Sequence, residues 1–360
     1  MGAGIQGRGA ARCGVAYLIV TSLVLAGCSG SVTSPPASTA PAATPGAASS
    51  AAAPSASIGG QVAGPNGRIV FARQTPDGQD DHTFIANPDG SGVRELLPRF
   101  TSGSPHWSPD GREVAVISGL GTLCPPTCTG NTVIMSPDSG SYRVLASKGF
   151  PAVSTFCSIW SPDASHFVCE GSNDANGKVN GIYTIRASDG GGLTRVTNAG
   201  GLSDIPIAYS PDGRQIVFGR NHSDNSGNCV APSAIYIVNI DGSNLRRITP
   251  PGYCDDDGSW SPDGSRIAFV MNDGTIYTVH PDGTGLTSLP LGTATQAYAG
   301  DVAWSPDGRQ VVFILATRTA SGSMIKGLGT ANADGTNVLQ ITISPTFDHS
   351  PSWGANPAGP

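Results

Sequence analysis

Residues 209–220 read YSPDGRQIVFGR, and residues 235–249 read IYIVNIDGSNLRRIT. β-Branched and aromatic residues crowd into short runs in both stretches, without the 3.6-residue spacing of a helix. The turn signals between the runs have specific chemistry. In Ser210–Pro211–Asp212–Gly213, proline presets φ at the first central position and aspartate suits the second. Glycine takes the left-handed position that closes a three-residue hairpin with a bulge. Asp241–Gly242 serves the second hairpin in the same way. The stretch around Tyr209, QIVFGR, IYIVN and LRRIT therefore spell four antiparallel strands.

The unit recurs along the chain. An aromatic followed by SPDG or SPDA stands at Trp107, Trp160, Tyr209, Trp260 and Trp304, and a sixth aromatic, Trp353, is followed by GANP. The spacings are 53, 49, 51, 44 and 49 residues, and all five tryptophans of the chain sit at this one position. EVAVIS, HFVCEG, RIAFVM and QVVFIL take the place of QIVFGR, while TVIMSPDSG, IYTIRASDG, IYTVHPDG and GTANADG take that of IYIVNIDG. Four strands within a period near 49 residues select a β-propeller among all-β folds.

The two ends of the pattern complete each other. RIVFAR, from Arg68, has no aromatic-SPDG before it, and Ser350–Pro351–Ser352–Trp353 has no strands after it. Joined, they make one blade. The expectation is an all-β, six-bladed propeller of four-stranded antiparallel blades. N-terminal strands (68–97) pair with the C-terminal strand (around 349–354) to close the ring and hide two sheet edges. Trp107, Trp160, Tyr209, Trp260, Trp304 and Trp353 should form the repeat core, with the tail beyond Trp353 loose.

The pattern [WY]-S-P-D-G-x-x-[IV]-x-F, followed by I-Y-x-V-x-x-D-G-x-x-L-x-x-[IL]-T, resembles the WD-like repeat of the TolB-type β-propeller across residues 67–355. That resemblance implies six blades. TolB proper carries an α/β domain ahead of its propeller; here that place holds an apolar leader and a linker.

Arg8 and Arg12 precede the apolar run GVAYLIVTSLVLAG, which is short for a membrane span and is flanked like an export signal. It ends in Leu25–Ala26–Gly27–Cys28, which resembles the lipobox of bacterial lipoproteins. The resemblance implies a signal peptide over 1–27 and a diacylglyceryl group on Cys28, whose two acyl chains would hold the protein at the bacterial cell membrane. Residues 31–57 hold 25 Ala, Ser, Pro or Thr among 27 and cannot bury a core. The expected domains are thus 1–27 leader, 28–66 lipidated cysteine and linker, and 67–357 propeller. Removing the leader takes the net charge from −6 to −8. Dispersed negative charge argues against a nucleic-acid partner, which needs clustered Lys and Arg.

Six cysteines remain after Cys13 and Cys28 are set aside, an even number in an exported domain, which favours disulfides. Repeat position suggests Cys157–Cys169, which lie symmetrically about Asp163 in the one hairpin with Ala164 in place of glycine. Cys124–Cys128 in one loop and Cys229–Cys254 in neighbouring loops complete the set. CPPTC without a second CxxC or a histidine pair is not a zinc pattern, so no metal and no cofactor are expected.

The SPDG and DG turns should share one face of the ring. The longer connections GLGTLCPPTCTGN, NHSDNSGNCVAPS and ATRTASGSMIK should share the other, where binding functions usually reside. Asp204, Asp255 and Asp348 each stand five residues before a repeat aromatic, near the channel mouth, where they would either contact a cation or polar ligand or cap turns. No G-x-S-x-G, H-E-x-x-H, P-loop or dinucleotide fingerprint occurs. The leading reading is a non-catalytic, monomeric, lipid-anchored platform for an envelope protein or ligand. The alternative is a hydrolase or lyase acting on a saccharide or peptide at the channel mouth.

Overall fold

The computed structural model describes residues 66–98, 100–119, 131–145, 154–173, 177–221, 233–251, 258–271, 274–291, 298–318 and 324–357. They form six four-stranded antiparallel sheets arranged as blades. Blade 1 contains β1 (Asn66–Gln74), β2 (Asp81–Ala86) and β3 (Arg94–Glu95), and blade 2 contains β4 (Thr101–Trp107), β5 (Val114–Gly119), β6 (Asn131–Met135) and β7 (Tyr142–Leu145). Blade 3 comprises β8 (Ser154–Trp160), β9 (His166–Ser172), β10 (Gly181–Arg186) and β11 (Thr194–Arg195). Blade 4 comprises β12 (Ser203–Tyr209), β13 (Gln215–Asn221), β14 (Ala234–Asn239) and β15 (Arg246–Arg247). Blade 5 comprises β16 (Gly258–Trp260), β17 (Ile267–Val270), β18 (Ile276–Val279) and β19 (Thr287–Ser288). Blade 6 comprises β20 (Tyr298–Trp304), β21 (Gln310–Arg318), β22 (Met324–Asn332) and β23 (Leu339–Gln340).

The last strand, β24 (Asp348–Ala355), pairs with β1 and supplies the inner strand of blade 1, placing Trp353 opposite Ile69 and Ala355 opposite Asn66. The strand thus continues past Trp353 rather than fraying there. Gly354 lies so close to the Trp107 ring that a Cβ would come within 2.6 Å of it, which locks the terminus against blade 2.

Each SPDG turn is closed by its own side chains. The Ser210 hydroxyl donates to Asp212 at 2.6 Å, the Arg214 amide donates to the same carboxylate at 3.1 Å, and Gly213 has φ of 70°. Ala164 adopts φ of 58° at the equivalent place in blade 3. In the second turns glycine answers two demands together. Gly90 has φ of 82°, and a Cβ on it would lie 1.8 Å from the carbonyl oxygen of Ile341, in the chain just beyond the outer strand of blade 6.

The apolar core is a ring of six clusters, one in each seam between neighbouring blades. Trp304, for example, packs with Ala268, Val270 and Ile276 of blade 5, and Trp353 packs with Val312, Ile314 and Leu328 of blade 6. The six repeat aromatics show nearly one exposure, 7% for Trp353 and 8% for the others. Each therefore fills an equivalent wedge, and the seam made by the two chain ends is as well packed as the rest. Three outer-strand arginines reinforce the seams, with Arg94 donating to the carbonyl of Pro137, Arg143 to that of Ala187 and Arg246 to that of Pro281 in the next blade.

Inner strands bend where the repeat demands it. Ser104, Asp301 and Ser350, each three residues before a repeat tryptophan, have φ of 48°, 32° and 50°, and the pairing register shifts at each. These bulges redirect side chains along the channel wall.

Candidate functional site

Asp204 is the second residue of β12 and Asp348 the first of β24, at the same end of their blades. Each carboxylate is gripped by an arginine from the next strand of its own blade. Arg220 Nε and Nη2 donate to Asp204 at 2.6 and 2.8 Å, and Arg73 Nε and Nη2 donate to Asp348 at 2.6 and 2.9 Å. A threonine from the preceding blade joins each pair, with Thr197 Oγ1 2.5 Å from Asp204 and Thr342 Oγ1 2.8 Å from Asp348. Those same hydroxyls accept the amides of Ile182 and Leu328, both at 2.8 Å. The guanidinium groups lie over aromatic faces, Arg73 over Phe71 and Phe84, and Arg220 over Phe218 and Tyr236. Both carboxylate side chains have 0% exposure. They staple one blade to the next and present no open oxygen to a channel ligand.

This Thr–Asp–Arg unit was only half visible in the sequence, which gave the aspartates but not their partners. The missing signal is an arginine eleven residues after the repeat aromatic, as Arg220 stands to Tyr209. Met271 stands at that place relative to Trp260. Asp255, the third expected channel aspartate, lies outside the described residues, as do Cys28, Cys124, Cys128, Cys229 and Cys254.

Cys157 and Cys169 are both fully buried and joined by a disulfide with Cα atoms 4.2 Å apart. Cys169 occupies the core position filled by Phe218, Phe269 and Phe313 in other blades, so the bond replaces aromatic packing. It crosses the hairpin that carries Ala164.

A second polar cluster lies at the seam of blades 6 and 1. His349 Nε2 lies 3.0 Å from Asp81 Oδ1, and its Nδ1 lies 3.1 Å from Ser350 Oγ. The Ser350 amide donates to Asp301 at 2.5 Å, and the imidazole stacks on Phe347. Burial, the largest influence, pushes the imidazole down. The hydrogen bond and charge of Asp81, together with Asp301 and Asp348, outweigh it and leave His349 above its ordinary value. His106 behaves oppositely: burial drives it down to about 4, against a hydrogen bond to the Ser104 carbonyl. Among the described residues, no group of three or more His, Cys, Asp or Glu could hold a metal ion.

Ser350, His349 and Asp81 are linked in the order of a hydrolase triad, but the surroundings oppose that chemistry. The serine's own amide, a natural oxyanion donor, is taken by the Asp301 carboxylate. Negative charge developing there would meet negative charge.

Six closed, four-stranded blades around a channel define a β-propeller of the kind that presents loops from a rigid ring. The chain belongs to the TolB beta propeller domain family, which matches residues 58–357. It is similar to TolB from Acinetobacter baumannii, with 22% identity over 81% of this chain and 67% of that one and a TM-score of 0.61. A chain assigned as TolB in Agrobacterium tumefaciens gives 20% identity over 78% and 90% of the two chains and a TM-score of 0.54. An uncharacterised protein of Agrobacterium fabrum is 34% identical over 155 residues, which cover 42% of this chain and 46% of that relative. The matched stretch is therefore less than half of that relative's length.

Proposed function

We propose that this chain is a non-catalytic binding platform of the bacterial cell envelope, held at the membrane by a lipid on Cys28 and engaging a protein partner through its loop face. The asymmetry of the two faces carries this reading. On one face the SPDG and DG turns are short and occupied by their own hydrogen bonds, from the Ser210 hydroxyl to Asp212, the Ser243 amide to Asp241 and the Thr284 hydroxyl to Asp282. The strand ends opposite those turns are joined by longer stretches of sequence, from β5 to β6 and from β13 to β14, so differences between repeats are concentrated at one end of the strands of a rigid scaffold. The Asp301 carboxylate at the Ser350 amide disfavours the hydrolase alternative. No helix among the described residues is long and apolar enough to cross a membrane.

The test is cross-linking and capture from envelope extracts, comparing the intact chain with a variant whose 222–232 connection is replaced by a short Gly/Ser turn. The loop-face reading expects a partner recovered with the first and lost with the second. Identical recovery would reject it. Labelling with a fatty-acid analogue, with Cys28→Ser as control, tests the anchor: label on the native chain alone supports it, and equal or absent label on both overturns it.

A further inference from the structure

We infer that the seam between the two chain ends is a proton-operated latch, in which protonated His349 ties β24 to Asp81 on β2 in mild acid and slackens that tie in mild alkali.

Three observations carry this. The first is position. β24 is the one inner strand whose neighbour, β1, is joined to it by no turn, because the two lie at opposite ends of the propeller sequence. The seam depends on side chains for what a hairpin supplies elsewhere. The second is reach. His349 sits opposite Ala72 of β1, and its Nε2 meets Asp81 of β2, so one imidazole spans β1 to grip the third strand of the blade. The third is distribution. The two histidine–carboxylate ion pairs among the described residues, His349–Asp81 and His82–Glu95, both lie in blade 1. His106 in blade 2 meets the Ser104 carbonyl and the Ser158 hydroxyl, while His166 and His280 meet the Ser165 hydroxyl and the Ser265 carbonyl.

The charges around His349 favour the imidazolium. Asp81 approaches from β2, Asp301 from β20 and Asp348 from β24 itself. Arg73 of β1 is committed to Asp348, and Lys326 of β22 lies over the Phe347 ring on which His349 stacks. From β4 the titratable group is His106, whose Nδ1 is turned to Ser104 and Ser158. Protonated, His349 donates through Nε2 to Asp81 and through Nδ1 to Ser350. Neutral, it loses the charge that Asp81 and Asp301 attract, and one ring nitrogen ceases to donate.

The sign follows from the elevated affinity of His349 for its proton. The latch is fully engaged below the unfolded histidine's value of about 6.5 and is lost as pH rises through the higher folded value. Loosening therefore belongs to neutral and alkaline pH and to the seam alone, since the other inner strands are covalently joined to their neighbours.

Hydrogen exchange of the full chain tests this, with protection corrected for the intrinsic rate at about pH 6 and about pH 8.5. Native β24 should lose protection about fivefold between them, a magnitude typical of one partly exposed ion pair, with smaller changes in the inner strands of blades 2 to 6. His349→Gln and Asp81→Asn should each flatten that difference. Native β24 protection unchanged with pH, an equal change in either variant, or an equal loss in all six inner strands would overturn the latch. Should one variant fail to fold, the other variant and the native profile still decide.

Discussion

Arg73 Nε donates to Asp348 Oδ1 at 2.6 Å although the two residues stand 275 positions apart, and the same contact recurs between Arg220 and Asp204, 16 positions apart. One pair holds the chain ends together; the other holds a hairpin that is already covalently continuous. Removing one partner leaves the other charge confined, so Asp348→Asn and Asp204→Asn should each cost about 3 kcal/mol in urea unfolding. The pairs should differ in where they open, with increased exchange in β1 and β24 for the first and in β12 and β13 for the second.

Glycine in the second turns has a packing role separable from its backbone role. Gly90 and Gly140 both have positive φ, but a Cβ at Gly140 would meet nothing within 4 Å, while one at Gly90 would strike the Ile341 carbonyl. Gly140→Ala should cost about 1 kcal/mol, the left-handed penalty alone. Gly90→Ala should cost at least about 2 kcal/mol more, from overpacking at the seam of blades 6 and 1. Paired urea titrations measure the difference.

The hairpin of blade 3 should respond to its turn and its cross-link in opposite directions. Ala164→Gly removes the strain of an alanine at φ of 58° and should stabilise by about 1 kcal/mol. Reducing Cys157–Cys169, which encloses a separation of 12 residues, should destabilise by about 2–3 kcal/mol. Melting of the oxidised, reduced and Ala164→Gly proteins would order the three states.

Acid should weaken the ring in two stages. His106 is neutral when folded, with its value at about 4, and binds a proton near 6.5 when unfolded. Its contribution is present above 6.5 and declines as pH falls from there toward 4; His106→Gln should flatten this limb. Below the ordinary carboxylate value of 3.8 the turn aspartates follow. The Ser161 hydroxyl, opposed by partial burial and aided by Ser165, holds Asp163 at about 2, and hydroxyl donors likewise lower Asp89, Asp241 and Asp334. Their contribution is present above 3.8 and disappears as pH drops through the lowered values. Unfolding free energy measured from about pH 7 down to about pH 2 should show both limbs.

Features repeated every 49 residues or so were legible in the sequence. Trp353 could be assigned to an inner strand because five other aromatics defined that position, and Cys157 could be paired with Cys169 because both flank one turn. Contacts made by a single blade were not legible. Asp81 reaches His349 across β1 from 268 positions away, and this pairing of a histidine with a carboxylate has no counterpart among the described residues of the other five blades. Arg73 and Arg220 fell between these cases. Each closes the run RIVFAR or QIVFGR in the second strand of its blade, but only these two blades carry an arginine there, too few to stand out from ordinary strand variation.

Deleting residues 346–360 tests most directly whether β24 closes the ring. The melting temperature should fall by more than about 10 °C, through loss of Trp353, the Arg73–Asp348 pair and the β1 ladder together, with β1 losing its exchange protection. A truncated chain that melts within about 1 °C of the full chain, with β1 still protected, would contradict the six-bladed register itself.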